Sequence, residues 1–323
     1  MFEGSGGNDL LARVAWLYHV GQLSQKEVSD SLGISRFKVL RLLADARERG
    51  IVRISITHDT VAALELADRL RADWDLSEVM VAPLPEGMPD DPNRSAVARR
   101  AVGVVAARFL ARIGGGGAKL TIGMGWGSTL ASMAQAVTGL SNPGLRFVSL
   151  MGSMTQTSET SPFDVCTNLA ELTGGTALFM PAPFIADDEA AARVIVSQRL
   201  VRETLDVARQ ADYAIVSVGE CGPGALLYES GVLTAEDRTA LAAAGAVADT
   251  TGHFFRQDGS LADVDLNRRA PAISFEDLRA RDVVMLAAGT KKLRALRAVL
   301  RAGLVRRLLI DERLARMLAE DTT

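Results

Sequence analysis

The apolar run KLTI ends in GMGWGST, from Gly123 through Gly125, Trp126 and Gly127 to Ser128 and Thr129. Glycines there let backbone amides approach an anion, and a helix opening at Ser128 adds the partial positive charge of its N-terminus. Other apolar runs end in Gly152 and Ser153, in Gly219 and Glu220, in Asp249 with Thr250 and Thr251, and in Gly289 with Lys291 and Lys292. Hydroxyl, carboxylate and ammonium groups gathered on one rim are what a hydroxylated, phosphorylated small molecule requires. Plainer readings stand beside this one. Asp249 could cap a loop, the lysine pair could be an exposed helix start, and Trp126 could pack in the core instead of stacking on a sugar face.

A second constellation lies near the N-terminus, in LSQKEVSDSLGISRFKVLRLLADARERG. Ser24 with Glu27 forms a capping box, Val28 and Leu32 face inward, and Gly33 stops that helix. Ser35 caps the next, which carries Val39, Leu40, Leu42 and Leu43 on its apolar side and closes at Gly50. A helix before them runs from Asp9 with Leu10, Leu11, Val14, Leu17 and Tyr18 in register, ending at Gly21. Two short helices about a glycine turn, with basic residues opening the second, make a helix-turn-helix that presents Ser35, Arg36, Phe37, Lys38 and Arg41 to the major groove. Ser24 and Gln25, opening the preceding helix, complete the expected DNA-contacting set, while Arg47, Arg49 and Arg53 suit the backbone. IVRISIT, Ile51 to Thr57, alternates at period two and reads as a short wing-like strand. The bland rival is a three-helix bundle with a solvated basic face. Agreement of caps, turn and spacing favours DNA.

The elements positioning the first constellation follow from the rest of the chain. A helix from Val61 to Asp73, a strand at EVMVAPL, a proline-rich loop over Pro83 to Ser95 and a long Ala/Val/Arg helix come first. Strands at KLTIGM, LRFVSLM, ALFMPAP, YAIVSVG, AVADTTG, VVMLAAG and VRRLLIDE then alternate with helices from Ser128, over Glu189 to Gln210, near Thr234 and from Lys291 to Arg301. Such alternation implies an α/β, Rossmann-like domain with a mainly parallel sheet covered on both faces. In such sheets ligands bind beyond the strands' carboxyl ends, where the groups above stand. The expected organisation is a helix-turn-helix domain over 1–58 and a larger effector-binding domain over 59–323.

Composition excludes other classes. The chain has 323 residues, 48% hydrophobic, and a net charge of −3, which argues against indiscriminate coating of nucleic acid. No apolar run approaches the ~18 residues of a membrane helix, and the first residues lack a signal-peptide pattern, so a cytoplasmic protein is expected. Cys166 and Cys221 are read as reduced, partly buried thiols, and His19, His58 and His253 show no metal-ligand spacing. No metal or cofactor is expected. A kinase would need a Walker lysine that GMGWGST lacks. The rival from another class is a sugar-phosphate isomerase or deaminase with an accessory DNA-binding domain, with Glu220, Asp249 and His253 as acid–base candidates.

The helix-turn-helix, GMGWGSTL, PAPFIADDEAAARVIVSQRLVRETLDVARQADYAIVSVGE, GAVADTTGHFFRQDG and AAGTKKLRALRAVLRAGLVRRLLIDERLARMLAE together resemble the SorC-type bacterial sugar-responsive transcriptional regulators, related to DeoR-type repressors. The resemblance covers nearly the whole chain. It implies a DNA-binding regulator of a carbohydrate or polyol catabolic operon, not an enzyme. Its partners would be operator DNA, a sugar, polyol or sugar-phosphate effector, and further copies of itself as a dimer or tetramer. It implies a sensor domain like the sugar-phosphate isomerases, an effector-contacting lysine at Lys292 after Gly289, an aspartate at Asp249, and GMGWGST as the effector cradle. Ala248, Thr250 and Thr251 depart from the family pattern and give a more polar wall, which suits an unphosphorylated polyol.

Overall fold

The computed structural model describes residues 5–52, 61–84, 92–154 and 162–320, and the chain divides into units Met1–His58 and Asp59–Thr323. In the first unit α1 (Ser5–His19), α2 (Gln25–Leu32) and α3 (Arg36–Glu48) close on a small core of Leu11, Val14, Val28, Val39, Leu42, Leu43 and Ala46. Both expected caps form. The Ser24 hydroxyl accepts from the Glu27 amide while Glu27 accepts from the Ser24 amide, and Ser35 Oγ accepts from the Lys38 amide. Gly33 takes the left-handed conformation (φ +63°) that ends α2. Leu40 corrects the sequence reading: it lies outside the core, 45% exposed. Helical rotation of about 100° per residue turns it away from Val39 and Leu43. Arg53 and most of the strand expected over Ile51–Thr57 lie outside the described residues, as does most of the loop expected over Pro83–Ser95.

The second unit opens with α4 (Val61–Asp73), and its long helix α5 (Pro92–Gly114) packs against α6 (Ser128–Ala136). Its strands are β1 (Glu78–Ala82), β2 (Leu120–Met124), β3 (Leu145–Ser149), β4 (Thr176–Leu178), β5 (Tyr213–Ser217), β6 (Gly219–Glu220), β7 (Ala246–Thr250), β8 (His253–Arg256), β9 (Asp282–Ala287) and β10 (Arg307–Asp311). A parallel sheet runs β1-β10-β9-β5-β2-β3-β4. Its strands are apolar on both faces because helices cover both. In β9, Val283 and Met285 pack with the helix Leu293–Arg301 side, while Val284 and Leu286 join α5 and α6. At the strands' N-terminal ends, Arg307 bonds Asp282 and Glu78, the first residues of β9 and β1, tying the edge opposite the ligand rim.

Three sequence expectations change. The AVADTTG strand, β7, belongs not to the parallel sheet but to a separate antiparallel sheet β6-β7-β8. A two-residue turn, Thr251 (φ +51°) and Gly252 (φ +78°), connects it to β8 and permits only antiparallel pairing. The helix expected over Glu189 to Gln210 is two helices, Glu189–Ser197 and Arg199–Arg209, broken where Gln198 adopts extended backbone (ψ 139°). ALFMPAP yields only the three-residue β4.

Candidate functional site

Reading the sheet from β2, the chain moves outward to β3 and β4, then returns to β5 on the other side of β2 and proceeds to β9 and β10. The direction of winding therefore reverses between β2 and β5, and a crevice opens there beyond the strand ends. A cavity of about 660 Å3 occupies that place. Trp126 to Thr129 reach it from the end of β2, Ser217 to Glu220 from the end of β5, Asp249 from β7, and Gly289 to Lys292 from the end of β9.

One end of the cavity suits an anion. Gly127 is the N-cap of α6, so no side chain caps that helix's first-turn amides. Its φ of +126°, and the Ser217 hydroxyl that a Cβ would meet at 2.7 Å, make glycine necessary there. Ser217 Oγ donates to the Trp126 carbonyl at 2.7 Å and so fixes the turn. Over the same helix start stand Ser95 and Arg99 of α5. They are brought in because α5 approaches α6 closely at Gly103, where a Cβ would sit 2.6 Å from the Ser132 carbonyl carbon. Burial, with Arg100 beside it, lowers the Arg99 guanidinium's pKa.

The other end is carboxylate-lined. Asp249 is 2% exposed, and its Oδ1, packed against Gly219, has no hydrogen-bond partner among the described residues. Gly219 pairs with Asp249 across the antiparallel sheet and must be glycine, because a Cβ there would meet Asp249 Oδ1 at 1.9 Å. Glu220 and Lys292 form an ion pair on the cavity wall. The Gly289 amide, donating to Asp311 Oδ2 at 2.6 Å, anchors the turn that carries Lys292.

Burial pushes the Asp249 carboxyl up to about 7, with Lys292 opposing and Glu220 adding to the shift. Because the folded-state pKa lies above the unfolded one, the native state binds the extra proton. The stability this residue contributes is full below about pH 4 and is lost as pH rises through about 7. Asp249→Asn, neutral throughout, therefore gains stability relative to wild type between pH 4 and 8 in the ligand-free protein. Chemical denaturation across that range measures the difference, and a constant difference would contradict the assignment.

Of the sequence-selected effector residues, the cavity gathers Trp126, Gly127, Ser128, Thr129, Glu220, Asp249, Gly289 and Lys292. Gly123, Gly125, Gly152, Ser153 and Thr251 do not line it. Gly123 and Gly125 are small for packing, with Leu150 and Val216 against them. Gly152 lies under the Pro183 carbonyl, and Ser153 makes backbone bonds to Ala182 and Phe184. Thr251 sits in the β7–β8 turn, its hydroxyl donating to the Thr250 carbonyl. Trp126 packs against Phe184 while showing the cavity one side. Ser95, Arg99, Ser217, Leu226, Leu227 and Glu229 line the cavity without having been selected as effector contacts. His253, the acid–base candidate, is buried with Nε2 at 2.8 Å from the Ile273 carbonyl and lies outside the cavity. Burial pushes both thiols' pKa values up, which keeps Cys166 and Cys221 protonated and inert.

In the first unit, Ser24, Ser35, Arg36, Phe37, Lys38 and Arg41 are all exposed, with Gln25 half-buried beside them. Among the described residues, neither Arg36, Lys38 nor Arg41 is paired with a carboxylate. Within the described residues, no helix is long and apolar enough to cross a membrane, and no cluster of metal-ligating side chains is present.

The second unit is thus a parallel α/β domain whose switch-point crevice is lined by uncapped helix amides, Arg99, Lys292 and the carboxylates of Glu220 and Asp249. The family profile described as "Putative sugar-binding domain" matches residues 58–320, and the chain belongs to this family of SorC/DeoR-type transcriptional regulators. It is 33% identical over 311 residues to the erythritol catabolism regulatory protein EryD of Brucella abortus, covering 96% of each chain. A solved DeoR family transcriptional regulator from Listeria monocytogenes superposes with a TM-score of 0.72 at 25% identity, covering 80% of this chain and 99% of that one. The full-length sorbitol operon regulator SorC from Klebsiella pneumoniae shares the fold at a TM-score of 0.73 and 21% identity, covering 98% and 100%. The protein is thus a transcriptional regulator rather than an isomerase or deaminase.

Proposed function

We propose that the chain binds operator DNA through a helix-turn-helix over 1–58 and that a short phosphorylated polyol or sugar, bound in the switch-point cavity, controls that affinity. The observation that carries the effector class is the pairing of two chemistries in one cavity. Uncapped α6 amides and Arg99 line it together with the carboxylates of Asp249 and Glu220. A phosphate fits the first and vicinal hydroxyls the second. Glu220 and Lys292 already neutralise one another, whereas Arg99, which lines the cavity beside Ser128, forms no ion pair among the described residues. The polyol half of the reading is supported by the erythritol-related name of the 33%-identical relative.

DNA contact would come from Ser24, Gln25, Ser35, Arg36, Phe37, Lys38 and Arg41. A homo-oligomer, dimer or tetramer, would set two recognition helices about 34 Å apart to meet successive half-sites. Cytoplasmic localisation accords with that role. A thermal-shift panel of free polyols and sugars against their phosphates tests the effector class, since a ligand of the folded state raises the melting temperature. At 100 times Kd the gain is about 2.7 kcal/mol, or roughly 5 °C for a domain of this size. The reading predicts stabilisation by phosphates at concentrations where free polyols do nothing. Stabilisation by a free polyol alone would move recognition to Asp249 and Glu220.

A further inference from the structure

Gln25 and Arg36 are the first helical residues of α2 and α3, and a side-chain bond joins them: the Arg36 Nε–H donates to Gln25 Oε1 at 3.3 Å. Both backbones are held locally. Ser24 and Glu27 cap α2 reciprocally, Ser35 caps α3, and Ser29 Oγ donates to the Ile34 carbonyl at 2.5 Å across the turn between them. The bond to Gln25 restricts an exposed arginine whose long side chain otherwise samples many rotamers. With Nε engaged by Gln25, the Nη groups remain as paired, coplanar donors. Arg36 is joined to no carboxylate among the described residues, and the side chain next to it, Phe37, is 77% exposed.

We infer that Gln25 is a positioning residue that orients Arg36 for bidentate recognition of one guanine, through O6 and N7, in the major groove. The inference rests on the DNA-binding reading above and makes it base-specific. A phosphate contact tolerates many guanidinium orientations and carries no sequence information. A guanine edge accepts only a coplanar approach, and that is what fixing Nε supplies. The arrangement therefore favours a base over a phosphate as the Arg36 partner.

The test uses the full-length protein and a random-sequence duplex library, selected both without effector and with erythritol 4-phosphate present. Affinities are then measured on the selected duplex and on copies carrying adenine or 7-deazaguanine at each guanine. Wild type should show one half-site guanine whose replacement, by either base, costs about 5- to 150-fold in affinity. Arg36→Ala should abolish that preference. Gln25→Met should shrink it about two- to twelvefold, the effect of releasing one immobilised side chain. Gln25→Glu, which keeps an acceptor for Nε, should retain the preference while weakening binding to every duplex by charge repulsion. A guanine preference that survives Arg36→Ala, or one that Gln25→Met leaves unchanged, overturns the inference and leaves the DNA-binding reading intact. Failure of wild type to enrich any sequence under both conditions overturns both.

Discussion

The double variant Arg36→Ala, Lys38→Ala binds the operator about a hundredfold or more weakly than wild type, and its affinity responds less to salt. The magnitude combines one base-edge interaction, worth about 1–3 kcal/mol, with at least one phosphate interaction. Removing a cation from a phosphate lowers the slope of log affinity against log salt by about 1, because one fewer counterion is released on binding. Both side chains are exposed on the first turn of α3, and neither belongs to the core of Val28, Val39, Leu42 and Leu43. The variant should therefore melt with wild type, which separates a binding defect from an unfolding one. Electrophoretic or anisotropy titrations at several salt concentrations read both quantities. Unchanged binding would remove α3 from the interface.

The Arg99→Ala variant binds a phosphorylated effector about 10- to 150-fold more weakly, the range expected for a charge-assisted hydrogen bond worth about 1.5–3 kcal/mol. Binding of an unphosphorylated polyol changes little by comparison, because the carboxylate end is formed by Asp249 and Glu220 on other elements. Arg99→Lys keeps a charge but not the planar donors, so it recovers part of the loss. Isothermal titration with a polyol and its phosphate gives the ratio directly. An equal loss for both ligands would show that Arg99 shapes the cavity rather than contacts a phosphate.

Legibility in the sequence tracked how local each cause is. Ser24 with Glu27, Gly33 and Ser35 were readable because caps and left-handed turns are set by neighbours in the chain. Leu40 is apolar, but its angle around the helix carries it off the packed face. Val39, Leu42, Leu43 and Ala46 share a face, and a residue one step from Val39 does not. The cavity-lining positions Gly127, Lys292 and Glu220 are legible because they stand just past apolar runs, and parallel strands all end on one rim. The same rule overreached at Gly152 and Ser153. Their strand, β3, lies beyond β2 and away from the reversal of winding, and strand order is not written in local pattern. Asp249 was selected as the end of a parallel strand, yet it reaches the cavity from an antiparallel hairpin whose turn, Thr251-Gly252, lacks the Asn-Gly or Asp-Gly signal. Arg99 gave no signal at all. It depends on the close approach of Gly103 to Ser132, residues far apart in sequence, and only the folded chain brings that helix over the start of α6.

Occupancy of the switch-point cavity should set affinity for DNA. The direct measurement is anisotropy of a labelled operator duplex titrated with wild-type protein and with Arg99→Ala, at increasing concentrations of the phosphorylated polyol that gives the largest thermal shift. The expected result is a saturable change in operator affinity of roughly 5- to 150-fold for wild type, corresponding to a coupling of about 1–3 kcal/mol, displaced to higher effector concentration in the variant. Operator affinity that stays constant while the effector demonstrably binds would contradict it.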